Sequence, residues 1–277
     1  MIEETFIPKP CSFEELEIMA KRLRLTAMVK HIAELSVNEQ TYGWSIAQWL
    51  SVAFQTEIER RNAIALSRHM KEAEIVFEDA CYNRLDWTPE RRHDGVKINN
   101  IFSLEWISRK QHCIITGPTG CGKSWVASAI AVEACLKGFK VKCFRMHTLL
   151  RQFARFQTAV STENDLQIKF LQDLSKLDLI VVDDWLTGAS AQLLQPIHRA
   201  GLYEIINHGH LKLSFLIVGV PPVSSWSALI GEPVSADSIL DRLVGRALRL
   251  ELRGESMRSK EVYGGIPQES NTAKGGS

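Results

Sequence analysis

No Cys-x-x-Cys pair occurs among the six cysteines, which stand at positions 11, 81, 113, 121, 135 and 143. Neither a zinc site nor a disulfide framework is suggested, and reduced, partly buried thiols are expected. An excess of charge of one sign is missing too. The chain holds 33 Lys and Arg against 32 Asp and Glu, a net charge of +1, so any nucleic-acid surface has to be a local patch. Long apolar runs are lacking; a stretch such as residues 213–220 is far too short to cross a bilayer. The first residues, Met-Ile-Glu-Glu-Thr, lack the basic start and apolar core of a signal peptide. Internal repeats are absent as well. These gaps point to a cytoplasmic protein with no membrane partner.

What is present, 277 residues of which 45% are hydrophobic, suffices for one large or two modest domains. Ser12 followed by Glu15 reads as a capping box that opens a helix. Leu16, Met19, Leu23, Met28, Ile32 and Leu35 recur at helical spacing, with a break near Leu25 and Thr26. Ser45 is placed to cap a longer helix carrying Ile46, Trp49, Leu50, Ala53 and Ile58. Residues 1–82 are therefore read as a small all-α domain for contact with a partner or DNA. Residues 1–98 hold 13 Lys and Arg against 16 Asp and Glu, and the cluster Arg60, Arg61, Arg68 and Lys71 reads as a solvated face or a phosphate contact. Residues 83–100, with Pro89 and Gly95, read as a linker. The pattern then turns to short apolar strands at 112–116, 141–144, 177–182, 214–218 and 247–252, with helices between them, which predicts a parallel α/β sheet. The last segment alternates Leu248, Leu250 and Leu252 with Arg249 and Glu251, as suits an edge strand. Residues 101–260 form the expected nucleotide-binding domain, and 261–277 a disordered tail.

Residues 113–124 run apolar strand, glycine-rich loop, Lys-Ser, then helix. Gly117, Pro118, Thr119, Gly120, Cys121, Gly122, Lys123 and Ser124 have the order of a phosphate-cradling loop, followed by Trp125 on the helix. Glycines let backbone N–H groups turn toward phosphates, and the helix N-terminus adds partial positive charge. Lys123 would reach the outer phosphates, and the Ser124 hydroxyl would ligate Mg²⁺. The apolar strand ending in Asp183 and Asp184 supplies the second half. Asp183 is placed to hold Mg²⁺ through a water, and Asp184 to orient or deprotonate the attacking water. The plainer alternative is a strand-end pair satisfied by turn N–H groups. Among late arginines, Arg242, Arg246, Arg253 and Arg258 are candidates to stabilise charge on the leaving phosphate.

The chain resembles the IstB-type ATPases, helper subunits of bacterial insertion-sequence transposition in the AAA+ superfamily, close to helicase loaders of the DnaC type. The resemblance rests on Leu23-Arg24-Leu25-Thr26-Ala27-Met28, residues 116–124 and 179–185, and above all on Ala236-Asp237-Ser238-Ile239-Leu240-Asp241-Arg242-Leu243 and Glu251-Leu252-Arg253-Gly254-Glu255-Ser256-Met257-Arg258. It implies an AAA+ P-loop NTPase with a five-stranded parallel sheet. ATP and Mg²⁺ would be the cofactors, bound by Lys123, Ser124, Asp183 and Asp184. It implies a homo-oligomer, ring or helical filament, that assembles on double-stranded DNA and recruits or activates a transposase. Arg242, with Arg246 as the alternative, would be the arginine donated to a neighbour's site, and Arg258 the one that senses nucleotide in its own chain. One departure stands out: the strand at 214–218 should end in a polar residue facing the γ-phosphate, and here Gly219-Val220-Pro221-Pro222 follow. Neither of the first two has a side-chain donor. A backbone N–H or Ser224 is the expected substitute. Without one, the chain would bind ATP with little hydrolysis, as a loader-like switch. For DNA, Lys142, Arg145, His147, Arg151 and Arg155 accumulate within one short stretch. On a helix from about His147, Leu149, Phe153 and Phe156 would share one face, and Arg151 and Arg155 another. That helix reads as a phosphate-tracking surface or as an ordinary amphipathic helix.

Overall fold

A computed structural model of the chain describes residues 11–85, 94–157, 164–188 and 194–257. Two compact units divide it, one up to Arg68 and one from His69. Helix α1 (Phe13–Leu23) starts at the expected capping box: the Glu15 amide donates to Ser12 Oγ at 3.2 Å, and the Ser12 amide donates to the Glu15 carboxylate at 2.9 Å. It stops at Arg24, whose φ of 57° leaves the helical region, and α2 (Thr26–Ser36) follows at the anticipated break. Helix α3 (Ile46–Ala73) is seated on Ser45, whose hydroxyl accepts from the Gln48 amide. Within the first unit Glu57 is buried, and its carboxylate takes Arg60 at 2.6 Å and Arg61 at 2.9 Å. The hydrogen bond from Arg60, seconded by Arg61, holds the Glu57 pKa down to about 2. Both guanidinium groups also donate to the Arg24 carbonyl. Part of the charge of this arginine cluster is thus spent inside its own unit.

The second unit is built on a parallel sheet of β1 (Cys113–Thr116), β2 (Val141–Arg145), β3 (Leu179–Trp185), β4 (Ser214–Gly219) and β5 (Leu248–Glu251), in the order β2-β3-β4-β1-β5. The alternating segment does lie at an edge, and β4 is buried along its whole length. Before the sheet come α4 (Gly95–Phe102) and the single turn α5 (Glu105–Ser108). Residues 95–100 were expected to be linker and are instead helical. The Asp94 carboxylate accepts from the Val96 and Lys97 amides, and Ile98 and Ile101 are buried. Around the sheet lie α6 (Lys123–Leu136), α7 (Met146–Gln157), α8 (Asn164–Leu174), α9 (Pro196–Gly209), α10 (Trp226–Ile230) and α11 (Pro233–Val244). Helix α6 buries Ala127, Ala129, Ala131 and Ala134, small side chains that let it lie close to the sheet. Under the amino end of β1, His112 Nδ1 accepts from the Phe215 amide at 3.1 Å. Burial, with the His210 charge second, pushes its pKa down to about 4, so the ring is neutral at physiological pH.

Candidate nucleotide-binding site

In open parallel sheets, ligands sit beyond the carboxyl ends of the strands. There, β1, β3 and β4 deliver the glycine-rich loop, Asp183-Asp184 and Gly219 to one cavity of about 580 Å³. Thr119, Gly120, Gly122, Lys123, Ser124, Trp125, Asp183 and Asp184 line it. Gly117, Pro118 and Cys121 belong to the loop but not to this lining, and the Cys121 side chain is buried beneath it. Lys123 opens α6, and its Nζ donates to the Pro118 carbonyl at 2.7 Å. This contact ties the start of α6 back to the loop.

The loop is also held from the far end of the chain. The Leu252 amide donates to the Thr116 carbonyl at 2.7 Å, and the Met257 amide to the Gly120 carbonyl at 2.9 Å. Gly120 has φ +83°, and a Cβ there would collide with the Ser256 side chain. Glycine at this position therefore serves both the turn and the close approach of the 252–257 segment.

Asp183 is half-buried and Asp184 exposed. The pairing of β3 with β4 shifts register between Val182 and Trp185, and Asp184 sits in that irregularity with φ 57°. Such a bulge re-aims a side chain, and Asp is among the residues that tolerate this conformation. The Asp184 amide donates to Asp183 Oδ1 at 2.8 Å, and the Thr187 hydroxyl to the Asp184 carbonyl at 3.0 Å. Ser124 and Asp183 contribute two hard oxygens to the same cavity, a donor set that suits Mg²⁺ beside phosphate oxygens. Cys143 lies one strand away; burial raises its thiol to about 12, so it stays protonated and inert.

At the end of β4, a Cβ on Gly219 would lie 2.7 Å from the Trp185 carbonyl oxygen. No side chain fits, which is a physical reason for the missing polar group. Val220 lines the cavity, and Ser224 stands exposed outside the lining. The cavity also takes in Phe77, His147, Thr187 and Met257, which sequence reading did not assign to it. The only advance signal was the position of His147 just after β2.

The remaining candidates lie elsewhere. Arg242 is on α11; its Nη1 donates to the Ser238 carbonyl at 2.8 Å and to the Ser238 hydroxyl, and its guanidinium lies 5.7 Å from the Tyr203 ring. Arg246 is exposed in the turn before β5. The turn after α11 leads straight into β5, whose Leu248 amide donates to the His112 carbonyl at 2.9 Å, which sets the end of α11 at the opposite end of the sheet from the cavity. Arg258 lies outside the described residues. Arg145 at the end of β2 is exposed, as are Arg151 and Arg155 on α7, whose inner side buries Met146, Leu149, Leu150 and Phe153. Lys142 does not join them: its Nζ is paired with Glu74 at 2.7 Å and donates to the Glu72 carbonyl.

Comparison with known proteins agrees with this geometry. The family model described as IstB-like ATP binding protein matches residues 18–263. An insertion sequence ATP-binding protein of Sinorhizobium fredii is 31% identical over 245 residues, covering 87% of this chain and 93% of the relative. One of Geobacillus stearothermophilus, from insertion sequence IS5376, is 23% identical over 248 residues, covering 90% and 95%. Among solved structures, DnaI aligns with a TM-score of 0.50 at 16% identity, over 64% of this chain and 93% of its own, a likeness of fold. Among the described residues no helix is long and apolar enough to cross a membrane.

Proposed function

The chain belongs to the family of IstB-like ATP binding proteins, and from that premise we propose that it is an ATP-hydrolysing helper of DNA transposition. It assembles on double-stranded DNA in the cytoplasm, as a ring or helical filament, and recruits or activates a transposase. The observation that carries the reading is the convergence of Lys123, Ser124, Asp183 and Asp184 on one cavity.

On binding ATP, Lys123 exchanges the Pro118 carbonyl for the outer phosphates, and the loop amides receive phosphate oxygens. Ser124 and Asp183 would hold Mg²⁺, the latter through a water, and the ion supplies charge neutralisation at the phosphates. Asp184, exposed on its bulge, orients the attacking water and accepts its proton. The exposed Arg151 and Arg155, with Arg145, contact the DNA backbone, and such contacts are independent of sequence and sensitive to salt. Charge on the leaving phosphate is met by an arginine of a neighbouring copy, since Arg242 and Arg246 precede the amino end of β5, the end of the sheet away from their own loop. Arg258 is assigned to nucleotide sensing in its own chain.

ATP hydrolysis across a protein-concentration series, with and without double-stranded DNA, tests the proposal. Turnover rising with both is expected. Tight ATP binding with negligible turnover under every condition would favour a second reading, a loader-like switch, for which the lack of room at Gly219 is the supporting observation.

A further inference from the structure

One edge of the cavity is aromatic, and nothing in the phosphate chemistry requires it. Phe77 and Trp125 line the cavity together, with ring centroids 5.2 Å apart and planes tilted by 46°. Trp125 stands on the first turn of α6, two residues after Lys123, so its indole lies beside the phosphate loop. Behind it α6 is nearly all buried, yet Trp125 keeps part of its surface open. Phe77 comes from a different part of the second unit, a strap between α3 and the turn at Tyr82–Arg84. Anchors flank it: Ile75 is 6% and Ala80 0% exposed, while Phe77 is 37% exposed. The Ala80 amide donates to the Phe77 carbonyl, and Glu72 and Glu74 fix the start of the strap to Lys142 of β2. Two large rings are thus held in place, half-open, at the margin of a polar phosphate site.

We propose that Phe77 and Trp125 form the seat for the nucleobase of the bound nucleoside triphosphate, the base stacking on the indole with the Phe77 ring as its side wall. The inference rests on the nucleotide-site reading above. Stacking suits this position because every base has a flat π face, and an alanine substitution at such a stack typically weakens binding by roughly 5- to 150-fold. The phosphates are then held by loop amides and Lys123, and the base by the two rings, as separable contributions.

Calorimetric titration of the full chain with ATP and with inorganic tripolyphosphate separates them. Wild-type protein is expected to bind ATP more tightly than tripolyphosphate. Trp125→Ala should weaken ATP by roughly 5- to 150-fold and leave tripolyphosphate affinity unchanged, which also reports an intact loop. Trp125→Phe should keep most of the ATP affinity, and Phe77→Ala should lose a smaller part. ATP affinity unaltered in both alanine variants would overturn the proposal, as would equal losses for the two probes. Wild-type protein that binds both probes equally would remove the seat and leave the phosphate site standing. Failure to bind either would remove the site reading and the seat with it.

Discussion

The carboxylate of Asp184 stands clear of the strand because the backbone beneath it leaves the pleat. Asn tolerates the same φ of 57°, so Asp184→Asn should fold like the parent. It should retain ATP and lose turnover by about 100-fold or more, read by nucleotide binding alongside phosphate release. Lys123→Ala should abolish nucleotide binding; a calorimetric titration decides. At β4 the two departures separate. Gly219→Ala should lower stability by about 1–3 kcal/mol in urea melts, because the added methyl meets Trp185. Val220→Asn places a polar group in the cavity with no such collision and should raise turnover. His112 sets a pH dependence. Its folded pKa of about 4 lies below the unfolded value near 6.5, so the unfolded chain binds the extra proton. Stability is full above pH 6.5 and declines toward pH 4, by roughly 3 kcal/mol for this group. Urea melts across that range should show a decline that His112→Gln reduces. The acid pair and the glycine-rich loop were legible as residues. The bulge and the crowding at Gly219 were not, since both depend on how β3 pairs with β4, a relation between distant segments.

At the scale of elements, α7 shows what periodicity can and cannot give. The spacing of Leu149 and Phe153 foretold the buried side, and Arg151 and Arg155 are exposed as expected. Lys142 looked equivalent in sequence but is occupied by Glu74, a partner from the segment after α3, with α4, α5, β1 and α6 between them on the chain. Replacing Arg151 and Arg155 with Ala should weaken DNA binding across all sequences and flatten its salt dependence by about two counterions, measured by titration at several salt concentrations. Helix α4 was missed because Pro89, Gly95 and the nearby charges read as linker. Its cap at Asp94 and the buried pair Ile98 and Ile101 were nonetheless written in the segment.

For the whole molecule, the alternation of apolar strands and helices carried the architecture, and the position of β5 at an edge followed from its own alternation. The choice between Arg242 and Arg246 did not follow. Close on the chain, they differ in what surrounds them: Arg242 is engaged by Ser238 and Tyr203, and Arg246 is exposed. Arg246→Ala should therefore leave ATP binding intact and remove the concentration-dependent part of turnover, whereas Arg242→Ala should first lower the melting temperature; paired turnover and melting measurements separate the two. The hydrogen bonds from Leu252 to the end of β1 and from Met257 to the glycine-rich loop also order events in time. On the ribosome the loop is made early, but its brace emerges only after every strand of the sheet has been synthesised. A nascent or prematurely stopped chain therefore carries the nucleotide motif without the two bonds that brace it in the finished fold.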